Sequence, residues 1–246
     1  MTWFRCPEPR PWAALRLFCL PHAGGSAVAY RPWVKEISPA VEVQAVQYPG
    51  RADRMGDALV SDAGQLARLI AGAMAPLMDR PAALFGHSMG AVLAYEVTRL
   101  LEERGHRPLH LFASGTRPPH ARGDREDVPI WQRDDDGVVA AMAELGGTDA
   151  DALRDPELRE LVLPYVRNDF RLIEEYEHRP GHRLAVPVTA FAGTADTHAG
   201  PDQVAAWAEV TEGPFALRVF EGDHFFLVPR QSGVLAEIQR TLDVPA

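Results

Sequence analysis

Gly86-His87-Ser88-Met89-Gly90 is the stretch with the clearest chemical content. A serine hydroxyl is a poor nucleophile until an imidazole takes its proton and a carboxylate fixes the imidazole's tautomer. The G-x-S-x-G spacing presents a serine at a tight turn between strand and helix, and its glycines let the two backbones cross closely. Residues 81–85 are an apolar run of strand length, and residues 91–101 read as helix. In that context a nucleophile outweighs a glycine-rich structural turn. Ser88 is expected at the carboxyl end of a strand, with a helix amino end behind it.

The remaining parts of such a site must come from elsewhere in the chain. Of nine histidines, His224 sits just past a strand at residues 215–220, in Glu221-Gly222-Asp223-His224. Asp196 follows a second strand at residues 186–192, beside Gly193. Asp223 is a weaker acid candidate, because a neighbouring side chain rarely reaches back to the ring it would orient, and Asp202 remains as an alternative. The order Ser88, Asp196, His224 is that of the α/β-hydrolase arrangement. One oxyanion donor is expected from the Met89 N–H, the other from the Pro21-His22-Ala23-Gly24-Gly25 loop, at Ala23. His22 and His87 flank the site, and His22, Phe225, Phe226, Trp131 and Met89 are candidates to contact substrate. Arg51, Asp53 and Arg54 could bind an anionic substrate group or form internal salt bridges.

Short strands alternating with helices of ten or more residues must position these groups, which implies a mostly parallel sheet covered on both faces. Residues 1–14, rich in proline, are expected to wrap the surface. Strands are expected at residues 15–20, 41–48, 81–85, 109–114, 186–192 and 215–220. Helices are expected from a Ser61-Asp62 cap to about residue 78, over the elbow helix, at 201–210 and at 231–242. No strand is evident over 116–183. There a helix at 136–145 ends at Gly146-Gly147, and an Asp155-Pro156 cap opens an amphipathic helix that Pro164 is expected to kink or split. The reading is an α/β-hydrolase core at 1–115 and 184–246 with a helical lid insertion at 116–183.

The 246 residues suit one domain carrying an insertion. A net charge of −9 without a basic block argues against nucleic acid. No apolar run reaches membrane-spanning length, no signal peptide is evident, and Cys6 and Cys19 read as reduced cysteines. A soluble, cytoplasmic monomer is expected. G-x-G-x-x-G is missing after the first strand, which weighs against a dinucleotide site.

Leu20-Pro21-His22-Ala23-Gly24-Gly25, Tyr48-Pro49-Gly50-Arg51, the elbow, and Gly222-Asp223-His224-Phe225-Phe226 together resemble the type II, or editing, thioesterases of polyketide synthases and nonribosomal peptide synthetases. The likeness spans nearly the whole chain. It implies Ser88 as nucleophile, His224 as base, Asp196 as acid, and the Met89 and Ala23 amides as oxyanion hole. The implied reaction removes acyl groups from the phosphopantetheine arm of acyl or peptidyl carrier proteins, with no metal or bound cofactor. His22 stands where the family often has an aromatic residue, and the loop 196–200 departs from its usual acid loop. A general esterase or acyl-coenzyme A thioesterase would use the same triad. A hydrolase-fold binding protein without turnover is the alternative of another class.

Overall fold

The computed structural model describes residues 3–121, 128–146, 152–181 and 183–244. Its centre is a seven-stranded sheet of order β1-β3-β2-β4-β5-β6-β7. The strands are β1 (Phe4–Arg5), β2 (Leu15–Leu20), β3 (Val41–Val46), β4 (Ala82–His87), β5 (Leu111–Ser114), β6 (Val188–Gly193) and β7 (Phe215–Phe220). All neighbours pair in parallel except β1, which runs antiparallel to β3 with Phe4 opposite Val46. Strands β2 to β6 are buried along their whole length. That is the environment of parallel strands with helices on both faces, and it explains the mostly apolar sequences of β4, β5 and β6.

Side chains alternate between two cores, as the pleat requires. Phe18 and Leu20 face α1 (Ala63–Met74), α2 (Met89–Glu103) and Trp207, whereas Leu17 and Cys19 face the 3-10 segment Ala27–Lys35 and α6 (Gln231–Thr241). Between β5 and β6 the chain leaves the sheet. The described parts of that insertion contain α3 (Asp135–Leu145) and α4 (Pro156–Glu174), packed around Val138, Met142, Leu163, Val166 and Phe170.

Several elements differ from the sequence expectation. Residues 1–14 do more than wrap the surface, since Phe4–Arg5 adds an edge strand and the Arg10 guanidinium donates to the carbonyls of Val34, Ile37, Ser38 and Val41. Pro164 does not split α4. It lies on the exposed face, so the carbonyl it leaves without a donor can be solvated, while buried Leu163 and Val166 seat the helix on either side. Helix α1 stops at Met74 and gives way to a 3-10 turn containing Pro76, and residues 201–210 divide into α5 (Pro201–Ala205) and a 3-10 turn. Gly146 ends α3 in the left-handed conformation (φ 84), and Gly147 lies outside the described residues. Among the described residues, no helix is long and apolar enough to cross a membrane.

Candidate active site

Ser88 occupies the turn between β4 and α2 at φ 54 and ψ −120, a backbone that a non-glycine residue adopts only when its surroundings over-determine it. The surroundings do so here. A Cβ at Gly86 would collide with the Gly90 carbonyl, and one at Gly90 with the carbonyls of Leu20 and Pro21. The two glycines thus let β2, β4 and α2 meet in van der Waals contact beneath the serine.

His224 follows β7 and Asp196 follows β6, on the same rim. The His224 Nδ1–H donates to Asp196 Oδ2 at 2.8 Å. Asp196 Oδ1 accepts from the N–H groups of His198 (2.8 Å) and Ala199 (3.1 Å). Burial opposes ionisation of Asp196, but His224 and these two amides outweigh it and hold the carboxyl below its ordinary range. The acid loop is brought to His224 by Gly193, where a Cβ would meet the carbonyls of Gly222 and Asp223. His224 Nε2 is buried and bonds to no described residue. Asp223 turns away and caps the Phe225 N–H at 2.9 Å, and Asp202 lies exposed in the first turn of α5.

Ser88, His224, Met89, Ala23, His22 and Phe225 all line one cavity of about 680 Å³. Its walls are completed by Phe170 and Ile173 of α4, Ala141 and Leu145 of α3, and Thr197, His198 and Ala199 of the acid loop. The Met89 N–H belongs to the first turn of α2, where amides have no acceptor within the helix. The Gly24 and Gly25 N–H groups are taken by Asp169 and the His22 carbonyl, leaving that of Ala23 without a described acceptor. The arrangement therefore offers an imidazole held by a carboxylate, a serine hydroxyl and two free amides around one space, the set needed for acyl transfer.

His22 and His87 are both held neutral. Burial first, then the proximity of His224 and Arg51, pushes His22 down to about 4. Burial and its neighbours His224 and His22 push His87 well below the usual imidazole range, and its Nδ1 lies 3.0 Å from Ser114 Oγ. His87 and Phe225 pack against the His224 ring, with centroids 5.0 and 5.2 Å away, and His22 packs edge to face on both of them at 6.0 and 4.8 Å.

Two expected lining residues lie elsewhere. Phe226 is fully buried and stacks on Phe220, while Trp131 packs under Arg171 and donates its backbone N–H to Glu174. Ile130 and Val128 reach the cavity instead. Arg51, Arg54 and Asp53 make internal ion pairs with Asp169, Asp57 and Arg5. Phe170 and Ile173 were legible only as part of the apolar stripe of α4. The Arg51–Asp169 pair carried no local signal.

The thioesterase-domain family model matches residues 15–242. The chain belongs to the thioesterase family. This thioesterase is 44% identical over 241 residues to the probable cadicidin biosynthesis thioesterase of Streptomyces griseus, covering 98% of this chain and 66% of that protein. It is 44% identical over 227 residues to the thioesterase PikA5 of Streptomyces venezuelae, covering 92% and 80%. Among solved structures it superposes on the type II thioesterase BorB from the borrelidin biosynthetic cluster with a TM-score of 0.89 and 38% identity, over 98% of each chain. That full-length match places the thioesterase within the type II group.

Proposed function

We propose that this thioesterase hydrolyses acyl groups from the phosphopantetheine arm of carrier proteins, clearing stalled or aberrant units from a polyketide or nonribosomal peptide synthase. The observation that carries the reading is the Asp196–His224 hydrogen bond of 2.8 Å, with the far side of the ring in the cavity wall that also holds Ser88. His224 Nε2 takes the Ser88 proton as Oγ attacks the thioester carbonyl carbon. Charge on the carbonyl oxygen is held by the Ala23 and Met89 N–H groups. The C–S bond breaks, and the pantetheine sulfur leaves with the proton from His224. Water then gives a proton to His224 and attacks the acyl-serine, releasing the acid and restoring Ser88.

A cavity of about 680 Å³ holds an acyl chain together with the end of the pantetheine arm. The insertion, taken as 116–183, acts as a lid over it, with α3 and α4 supplying the acyl wall. The enzyme is read as a cytoplasmic monomer that meets its carrier protein as substrate. Mass spectrometry of an acyl-loaded carrier tests the proposal. Wild type should remove the acyl mass and leave the phosphopantetheine arm, and Ser88→Ala should remove none. Equal rates on simple esters and on the carrier would move the reading to a general esterase.

A further inference from the structure

The loop that carries Ala23 is gripped by a residue from the insertion. The Gly24 N–H donates to Asp169 Oδ2 at 2.8 Å, and Asp169 belongs to α4. Arg51 holds the same carboxylate through both terminal nitrogens, Nη2 reaching Oδ1 at 2.7 Å. Arg51 Nη1 also donates to the Gly25 carbonyl at 3.1 Å. One ion pair, with both partners 2% exposed, therefore holds the peptide unit after Ala23 and the one after Gly25. Tyr165 of α4 lies 4.6 Å from the Arg51 guanidinium, and a Cβ on Gly24 (φ 77) would sit 3.2 Å from Val166 of the same helix. From the sheet side, the Tyr48 hydroxyl donates to the Pro21 carbonyl at 3.0 Å.

Buried ion pairs add little stability, because desolvation offsets their attraction, and apolar replacements are often neutral. This one supplies direction instead. It orients the backbone on the far side of the Ala23 N–H, and half of it rides on the lid. We propose that Asp169 and Arg51 are positioning residues that aim the Ala23 N–H at the oxyanion, and that they make this aim depend on the seating of α4. The inference rests on the reading of Ala23 as an oxyanion donor. Once α4 shifts far enough to part Asp169 from Gly24, the loop loosens, so hydrolysis belongs to the seated lid.

Two double variants test this. Arg51→Met with Asp169→Leu removes the charges and the acceptor for Gly24, whereas Arg51→Met with Asp169→Asn removes the charges and keeps an acceptor. The leucine variant should lose about 10- to 100-fold in kcat with KM near that of wild type. It should lose affinity in parallel for an acyl trifluoromethyl ketone, whose adduct with Ser88 carries the oxyanion. The asparagine variant should recover most of both losses. Equal kcat and equal ketone affinity in the two variants would overturn the proposal, since the loss of the Gly24 acceptor would then have no effect on the oxyanion. Assays on a p-nitrophenyl ester alongside the acyl carrier separate the two levels of inference. Failure on the carrier alone rejects the substrate reading and leaves the positioning result standing. Should the leucine variant not fold, amide exchange in wild type decides: Gly24 should exchange together with the α4 amides, and independent exchange refutes the coupling.

Discussion

At Ser88 the backbone holds φ 54, and three surrounding elements approach too closely for any side chain at positions 86 and 90. The serine proposed as nucleophile is thereby set on a rigid junction, and His224, its proposed base, is oriented by a single carboxylate. Asp196→Asn should keep the fold but present the wrong imidazole tautomer, lowering kcat by about 10⁴-fold, whereas Asp223→Asn should stay within a few-fold of wild type. Steady-state kinetics on an acyl carrier or an activated ester checks the pair, and comparable losses would mean that Asp223 shares the task. The meeting of Ser88, Asp196 and His224 at one rim was legible in the sequence because each follows a strand, and strand ends are marked by short-range punctuation. Asp169 could not. It is one acidic residue on a helix with several, and its partner Arg51 lies 118 residues away.

Among the elements, α4 carries three duties along one face. Leu163 and Val166 pack the core of the insertion, Asp169 reaches the Ala23 loop, and Phe170 and Ile173 line the cavity. Phe170→Ala should lengthen the acyl pocket and shift kcat/KM toward longer chains, at a stability cost of about 3 kcal/mol. An acyl series from two to ten carbons reads the shift, and an unchanged preference would place the acyl wall elsewhere. The apolar period of three and four identified the helix but not which stripe residues meet substrate, because core and cavity faces have the same composition. The expectation that Pro164 could split the helix failed for a related reason. Sequence shows the missing donor but not that the position faces solvent, where the loss is small.

For the whole molecule, histidines in buried or half-buried settings set the acid limit of stability. His22 and His110 are pushed down to about 4, and His87 well below its usual range, chiefly by burial. In the unfolded chain these rings take protons near 6.5. Between about pH 4 and 6.5 the unfolded state therefore binds more protons than the folded one, and stability falls as pH falls. Each fully buried ring contributes up to about 1.4 kcal/mol per pH unit in that window and nothing further above it. Asp196, held below its usual range, adds to the loss at still lower pH. Urea midpoints should be lower at pH 5 than at pH 7 with the same m-value, and His110→Asn should narrow the gap. Coincident midpoints at the two pH values would contradict this account.

The strand β7 that leads to His224 is the outermost of the sheet and only half-buried, whereas β4, which leads to Ser88, is central and wholly buried. The two halves of the proposed catalytic pair thus hang on parts of unequal firmness. Fraying that peels β7 from β6 would carry the imidazole away from its carboxylate while the serine junction stays folded. The enzyme should lose turnover reversibly on warming before its helices melt. A phosphonate that labels Ser88 should stop reacting in that interval, while far-ultraviolet circular dichroism remains that of the native protein.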